Sequence, residues 1–253
     1  GTAAAWLRQA PPMIFAMAPV CAFLVRDRAA LFTLMVFALA AGSHNLEIKE
    51  NVLAQDRSFF GVMKVTKSWI PGYAQDLRLL THGTTLHGAQ AMDAANPCLP
   101  LTYYAPATPI GQVILSAGKR KRNMVLGAVG MGTGSVAAYA RPDDEYRFYE
   151  IDPLVVAMAR NPNYFTYISK CAQSPRLDWR IGDARLTLAK EKSGAFDVLL
   201  VDAFSSDAVP AHLLTVEAMR LYLDKINDDG VVIMHLSNRH LDLLRPVAAT
   251  AKA

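Results

Sequence analysis

The chain has 253 residues, of which 52% are hydrophobic, and a formal net charge of +4. This length accommodates one large or two small domains with a buried core. The mild charge includes one short basic run, Lys119–Arg122, which is expected to be a solvated loop, so nucleic acid is not an expected partner. Cys21, Cys98 and Cys171 lack metal-ligand spacing, which indicates a reducing compartment without a disulfide framework.

Residues 10–43 are almost wholly apolar apart from an Arg-Asp-Arg trio at 26–28. The trio separates two runs, Met13–Val25 and Ala29–Ala41, each shorter than the roughly 20 residues that cross a bilayer. A helical hairpin ending a polytopic membrane region, an interfacial segment and a buried hairpin of a soluble protein all remain open. Because both runs extend into apolar neighbours, the membrane interpretation is favoured for residues 1–45.

The sequence then becomes mixed in polarity and predicts a small antiparallel β domain over residues 46–106. Phe59–Thr66 and Leu77–Thr81 are its strand candidates, and Pro71-Gly72 between them is a turn signal. His82 and His87 follow, each with a glycine after it. Two histidines without an obvious third ligand are more typical of local hydrogen bonding in turns, so no metal is expected.

The stretch Asn123–Asp152 carries the strongest functional signal. An apolar run, Met124–Leu126, leads into a glycine cluster, a helix-compatible segment and a second strand-like run that ends at Glu150. The cluster consists of Gly127, Gly130, Gly132 and Gly134. Such a unit binds a nucleoside, because glycine lets the backbone approach the ligand and the acid accepts hydrogen bonds from ribose hydroxyls. Residues 107–253 are therefore predicted to form a Rossmann-like nucleoside-binding domain.

Helices and strands alternate around and beyond this unit. The predicted elements are helices over Ala107–Gly118, Pro153–Arg160, Arg185–Glu191 and Leu214–Leu223, strands over Leu177–Ile181, Phe196–Val201 and Val231–Leu236, and a turn at Asp228-Asp229-Gly230. This alternation implies a parallel sheet with right-handed crossovers. A full fold of this kind usually has two more strands, so either the sheet is short or a C-terminal part is absent.

Polar residues follow the predicted strands, at the sheet edge where ligands bind in such folds. They are Glu150 and Asp152, Asp183, Asp202 with Asp207, and His235 with Asn238. Asp183 suits an amine or ring nitrogen of adenine, which leaves Asp202 and Asp207 to hold a substrate amine or remove its proton. The alternative for Asp202 is a helix or turn cap, and for His235 a satisfied strand-end histidine.

Several short motifs occur in a fixed order between about Arg57 and Leu244. They read F-F-G-V, L-T-H-G-T-T-L-H-G-A-Q, T-Y-Y, G-A-V-G-M-G-T-G, Y-E-I-D-P, G-D-A-R and F-D-V-L-L-V-D-A-F-S-S-D-A-V-P. This set resembles the spermidine synthase family, and most closely its membrane-fused bacterial branch. The resemblance implies a class I methyltransferase-like Rossmann fold behind a small β domain. It also implies that Glu150 holds the ribose, Asp183 holds the adenine and Asp207 is the base.

The chain departs from the family's pattern on the acceptor side. Phe60-Gly61 stands where the family has Tyr-Gln, and His82 stands where it has the aspartate of Leu-Asp-Gly. Leu99-Pro100 replaces an Asp-Glu pair ahead of Tyr103-Tyr104. In the family those acids help to hold the polyamine and the aminopropyl amine. The nucleoside site is thus expected to be intact, whereas putrescine is in question as the substrate.

The predicted function is transfer of an aminopropyl group from decarboxylated S-adenosylmethionine to a small-molecule amine. Asp207 and Asp202 are the predicted catalytic residues. The predicted cofactor-binding residues are Gly127, Gly130, Gly132, Glu150, Asp152, Asp183 and Ala184, and the predicted substrate contacts are His82, Gln90, Tyr103, Tyr104 and His235. Methyl transfer from S-adenosylmethionine and a catalytically silent nucleoside sensor remain open alternatives. A homodimer is expected, with the catalytic domain in the cytoplasm.

Overall fold

The computed structural model describes residues 23–24, 26–46, 51–203, 210–236 and 242–252. The chain divides into two compact units, Gly1–Glu50 and Asn51–Ala253. In the first unit, helix α1 spans Ala29–Leu46, which confirms a helix over the second apolar run. The run Met13–Val25 lies almost entirely outside the described residues. Within the described ranges, no helix combines the length and the apolar character that crossing a bilayer requires.

The second unit opens with a four-stranded antiparallel sheet in the order β1-β2-β3-β4. Its strands are β1 Asn51–Ser58, β2 Gly61–Ile70, β3 Ala74–His82 and β4 Thr85–Ala91. The predicted antiparallel sheet is confirmed, but β2 begins later than predicted because Phe59 and Phe60 form the turn after β1. The sequence did not reveal β1, which is exposed along most of both faces and so lacks an apolar alternation.

A five-stranded parallel sheet follows in the order β7-β6-β5-β8-β9. Its strands are β5 Val125–Val129, β6 Glu145–Glu150, β7 Arg176–Ile181, β8 Phe196–Val201 and β9 Ile226–Met234. The predicted α/β Rossmann architecture behind a small β sheet is therefore confirmed. Because β5 is central, the residues that follow β5, β6 and β8 meet at one edge of the sheet.

The helices of the second unit are α2 Pro109–Arg120, α3 Pro153–Arg160, α4 Ala184–Leu188, α5 Val216–Lys225 and α6 Leu244–Lys252. Helices α2 and α3 begin for the same local reason. Each has proline in its first turn, and Thr108 or Asp152 at the N-cap accepts a hydrogen bond from a backbone N–H. The helix-compatible segment after the glycine cluster forms only a 3₁₀ turn, Ser135–Tyr139.

The predicted turn at Asp228-Asp229-Gly230 lies instead within β9. Pairing between β8 and β9 steps from Phe196 opposite Ile226 to Val198 opposite Val231. The extra residues on β9 form a bulge, which accommodates the polar Asn-Asp-Asp-Gly segment without ending the strand. The prediction of irregular backbone was thus correct, but the prediction that the strand begins only after it, at Val231, was wrong.

Two hydrophobic clusters cover the two faces of the parallel sheet. The first contains Met63 and Leu80 of the small sheet together with Ile114 of α2 and Leu126 of β5. Because these side chains share one cluster, the small sheet is packed against the parallel sheet and its strand ends can contribute to the same pocket. The second cluster includes Leu199 of β8 with residues of α4, α5 and α6.

Cys98 and Cys171 form a disulfide with their Cα atoms 5.2 Å apart. The bond joins the segment after β4 to a single π-helical turn, Tyr167–Cys171, between α3 and β7. It is therefore a covalent link between a loop of the small sheet and a connection of the parallel sheet. The expectation of no disulfide was wrong, because residues 73 apart in sequence are adjacent in the fold. The cysteine argument for a reducing compartment therefore no longer holds.

Candidate active site at the carboxyl edge of the parallel sheet

One pocket lies at the carboxyl ends of the parallel strands, where the small sheet meets them. The small sheet contributes Phe60, Met63, His82 and His87. The parallel sheet and its connections contribute Val129, Gly130, Met131, Gly132, Tyr149, Glu150, Ile151, Asp152, Val155, Asp183, Ala184, Ala203, Pro210, His212 and Leu213. Residues of both sheets therefore enclose the predicted nucleoside site.

The glycine turn after β5 requires glycine at two positions. Gly130 has φ +90°, and a Cβ there would lie 2.1 Å from the carbonyl oxygen of Asp202. Gly132 has φ +51°, and a Cβ there would lie 2.5 Å from the carbonyl oxygen of His87. The turn therefore lies so close to the end of β8 and the start of β4 that no residue with a Cβ atom fits at Gly130 or Gly132. Gly127 does not line the pocket and instead packs within β5 against Leu199 and Phe196.

Glu150 lies at the end of β6 and is hydrogen-bonded to the glycine turn. Its Oε2 accepts a hydrogen bond of 2.9 Å from the Met131 N–H, and its Oε1 accepts one of 3.0 Å from the Asp152 N–H. The side chain is 8% exposed, and burial raises its pKa while these backbone donors oppose the rise. Each carboxylate oxygen retains a further lone pair, which a diol in the pocket could use.

Asp152 lines the same pocket, but both of its carboxylate oxygens already have protein partners. Its Oδ1 caps α3 by accepting a 2.9 Å hydrogen bond from the Leu154 N–H. Its Oδ2 accepts a 2.5 Å hydrogen bond from the hydroxyl of Ser58 at the end of β1. The residue therefore joins the small sheet to the parallel sheet beneath the pocket.

Asp183 and Ala184 lie at the end of β7, on the far side of Glu150 from the glycine turn. Asp183 caps α4 through a 2.8 Å hydrogen bond from the Arg185 N–H to its Oδ1. The Nε2 of His212 lies 3.2 Å from Oδ2 of the same carboxylate. His212 was not singled out in the sequence, because nothing in its surroundings marks it and only the fold brings it to Asp183.

Asp202 follows β8 and lies in a buried cluster of aromatic side chains. The hydroxyl of Tyr104 donates a hydrogen bond to its carboxylate, and the ring of Tyr103 stacks on His235 with centroids 4.2 Å apart. Asp202 is 9% exposed, and burial raises its pKa, whereas His235 and the two tyrosine hydroxyls lower it. Burial and the Asp202 charge raise the pKa of both tyrosines, so they remain protonated donors.

His82 and His87 form the wall of the pocket above the glycine turn, with ring centroids 5.9 Å apart. The ring of His82 fills the space beside Gly61, where a Cβ would lie 2.1 Å from its Nε2. The Nε2 of His87 is buried and has no hydrogen-bond partner among the described residues. Burial and the neighbouring His82 lower the pKa of His87 to about 4. No group of three metal-ligating side chains occurs among the described residues.

Gln90 is fully buried and does not line the pocket. Its Nε2 donates hydrogen bonds of 2.9 Å to the carbonyl of Pro97 and to Oγ1 of Thr166, and its Oε1 accepts one of 2.7 Å from the Thr166 N–H. The amide therefore connects the small sheet to the segment after α3. Asp207, the other predicted catalytic residue, lies in 204–209, outside the described residues.

These features define a class of protein in which a small antiparallel sheet packs on a methyltransferase-like Rossmann sheet and a pocket lies at the carboxyl edge of that parallel sheet. No model of a protein family matches the chain. A polyamine aminopropyltransferase from Vibrio vulnificus (strain CMCP6) is 29% identical over 119 residues, which are 46% of this chain and 37% of that protein.

Solved spermidine synthases have the same fold. A probable spermidine synthase from Corynebacterium glutamicum matches 72% of this chain and 62% of its own, with a TM-score of 0.55 and 16% identity. The Thermotoga maritima spermidine synthase matches 80% of this chain and 63% of its own, with a TM-score of 0.54 and 16% identity. A spermidine synthase in complex with the transition state analogue AdoDATO matches 80% of this chain and 64% of its own, with a TM-score of 0.55.

The chain thus resembles a polyamine aminopropyltransferase in sequence over 119 residues and shares the fold of solved spermidine synthases. The chain spans 37% of the curated relative and less than two thirds of each of these solved structures.

Proposed function

We propose that this protein transfers an aminopropyl group from decarboxylated S-adenosylmethionine to an amine. The observation that carries the proposal is a pair of buried carboxylates on opposite sides of the glycine turn. Glu150 ends β6 and Asp202 follows β8, with β5 between them. Neighbouring strands are about 4.8 Å apart, so the two acids are separated by roughly 10 Å along the edge. A nucleoside with its ribose at Glu150 can extend its reactive tail towards Asp202.

In this proposal the residues at the carboxyl edge of the parallel sheet divide between the two substrates. Glu150 accepts hydrogen bonds from the ribose, and Asp183 with Ala184 contacts the adenine, while Gly130 and Gly132 allow the close approach of the ligand. Asp152 supports this half by fixing α3 and Ser58. The acceptor half comprises Tyr103, Tyr104, His82 and His235, with Gln90 acting indirectly through its bridge to Thr166. Residues 46–106 thus contact the acceptor, whereas residues 107–253 hold the nucleoside and contribute His235 and Asp202 to the acceptor side.

The reaction is a displacement at the methylene carbon next to the sulfonium. The lone pair of the acceptor nitrogen forms the new C–N bond, the C–S bond breaks, and its electron pair remains on sulfur in neutral methylthioadenosine. The proton released by the nitrogen passes to a carboxylate. Asp202 suits this role because burial raises its pKa, which makes the carboxylate a stronger base. Asp207 is the second candidate base.

The names of the relatives agree with this chemistry. The curated relative is a polyamine aminopropyltransferase, and two of the solved structures are spermidine synthases, one of them bound to a transition state analogue. One observation favours methyl transfer from S-adenosylmethionine as a second candidate. The pocket wall from the small sheet contains no acid among the described residues, so it would not repel the carboxylate of that cofactor's tail.

The test is to incubate the full chain with a panel of amines and either decarboxylated S-adenosylmethionine or S-adenosylmethionine. Aminopropyl transfer yields methylthioadenosine from the first, whereas methyl transfer yields S-adenosylhomocysteine from the second. Methylthioadenosine binding without either product would identify a silent nucleoside-binding domain. No binding of any nucleoside would overturn the proposal. Asp178→Asn, an exposed change on β7, is a control that should retain wild-type turnover.

We also propose that residues 1–45 associate with a membrane and that the protein is a homodimer. Support for the first comes from the exposed apolar side chains of α1, which include Leu34 and Phe37. Support for the second comes from exposed Trp69, Ile70 and Tyr73 around the β2–β3 turn. Vesicle flotation of the full chain tests the first, and light scattering with size exclusion in detergent tests the second.

A further inference from the structure

The part of the pocket wall that comes from the small sheet has no charge partner for a cation. Its described members are Phe60, Met63, His82 and His87. The carboxylates that line the rest of the pocket already have donors: Glu150 accepts from the Met131 N–H, Asp183 from the Arg185 N–H, and Asp152 from the Leu154 N–H and the Ser58 hydroxyl. An ammonium group held against Phe60, Met63, His82 and His87 would lose hydration with no carboxylate among these four side chains to compensate it, which is costly.

His87 has an unmet hydrogen-bonding requirement in the same wall. Its Nε2 is buried without a partner among the described residues, and leaving such a group unpaired lowers stability. Because burial and His82 lower its pKa to about 4, the ring is neutral at pH 7 and its nitrogens can donate one hydrogen bond and accept another. An unpaired buried group of this kind is explained by a ligand that supplies the missing bond.

The histidine pair lies over the middle of the sheet edge. The carbonyl of His87 approaches Gly132, and Gly88 approaches the Thr133 side chain, so the start of β4 rests on the glycine turn. The glycine turn itself lies between Glu150 and Asp202. A group that contacts the histidines is therefore near the reactive tail of the nucleoside and near Asp202, where the acceptor amine must enter.

We infer that His82 and His87 form a subsite for the far end of the acceptor and select an uncharged hydrogen-bonding group there, such as a hydroxyl, over a second ammonium. The inference rests on the proposed aminopropyl transfer. The acceptor is then a monoamine of the amino-alcohol class, whose amino end reacts beside Asp202. Its hydroxyl provides the hydrogen bond that His87 lacks.

The test compares 4-aminobutan-1-ol with 1,4-diaminobutane, two acceptors of equal length. Binding to the full chain is measured by calorimetry, with and without saturating methylthioadenosine, and histidine ring resonances are followed by NMR. The amino alcohol is expected to bind at least roughly tenfold more tightly and to shift the His87 resonances. Equal or tighter binding of the diamine, or no binding of either amine, overturns the inference.

Three variants make the test specific. His87→Phe should remove the preference, and His87→Asp should reverse it towards the diamine by supplying a counter-charge. Asp178→Asn, an exposed change on β7 outside the pocket lining, should keep the preference. An unchanged preference in both His87 variants contradicts the inference. If the amine preference is found but no methylthioadenosine forms with any acceptor, the aminopropyl transfer fails and the subsite stands.

Discussion

The hydroxyl of Tyr104 donates a hydrogen bond to the carboxylate of Asp202, although the two residues are 98 positions apart. Tyr104 is 3% exposed and Asp202 is 9% exposed, so this contact is shielded from water. A buried carboxylate is costly unless donors surround it, and Tyr104 supplies one of them. The 3₁₀ turn Thr102–Tyr104 thereby holds the proposed base beside the glycine turn.

Asp202→Asn is expected to lower turnover by about 10²–10⁴-fold, the usual contribution of a positioned base. It should not lower the free energy of unfolding at pH 7. Burial raises the pKa of Asp202 in the folded state, so the folded chain binds more protons and loses stability as pH rises from the unfolded to the folded pKa. The asparagine side chain does not ionise, so the variant should not lose stability over this pH range. Thermal unfolding of both proteins across pH 4–8 measures the difference. A variant that is less stable at every pH and keeps full turnover contradicts both expectations.

Tyr104→Phe is expected to raise the pKa of Asp202 further, because it removes a hydrogen-bond donor from an already buried carboxylate. The acidic limb of the pH profile of kcat/KM should therefore move to higher pH, with the ring volume preserved. Tyr73→Phe, a change at an exposed tyrosine, is the matched control and should leave the profile in place. An unshifted acidic limb in Tyr104→Phe would mean that Asp202 is not the group that titrates.

Glu150→Gln is expected to weaken methylthioadenosine binding by about tenfold to a hundredfold, since hydrogen bonds to a charged group contribute about 1.5–3 kcal/mol. The amide also places a donor against the N–H of Met131 or Asp152, both of which need an acceptor. Calorimetric titration measures the affinity. Glu145→Gln, at the opposite end of β6, should bind as the wild type does, and equal affinities for the two variants would remove Glu150 from the nucleoside site.

Gln90→Ala is expected to cost about 1–3 kcal/mol of unfolding free energy, because it leaves the Thr166 N–H without its acceptor in a buried place. Its effect on methylthioadenosine affinity should be small, since the side chain does not line the pocket. Urea unfolding and calorimetry separate the two effects. The exposed Gln112→Ala is the control, and a large loss of affinity with unchanged stability would instead support direct contact with a ligand.

The alternation of strands and helices along residues 107–253 could be predicted because most of these elements leave a local signal. Pro153 with Asp152 marks the start of α3, and the apolar run Phe196–Val201 coincides with β8. Strand β1 left no such signal, since most of its side chains are exposed. The position of Gln90 was also beyond prediction, because its partner Thr166 is 76 residues away.

The sequence by itself determined the chemistry available at the strand ends: the glycine turn, Glu150, Asp183 and Asp202 are local features of strands and of the residues that follow them. The tertiary structure decided which of these groups face the pocket and which are satisfied elsewhere. It assigned Asp152 to a cap and to Ser58, and it buried Nε2 of His87 without a hydrogen-bond partner from the described part of the chain. The reason is physical: hydrogen-bond satisfaction and burial depend on distant segments, and no local pattern encodes them.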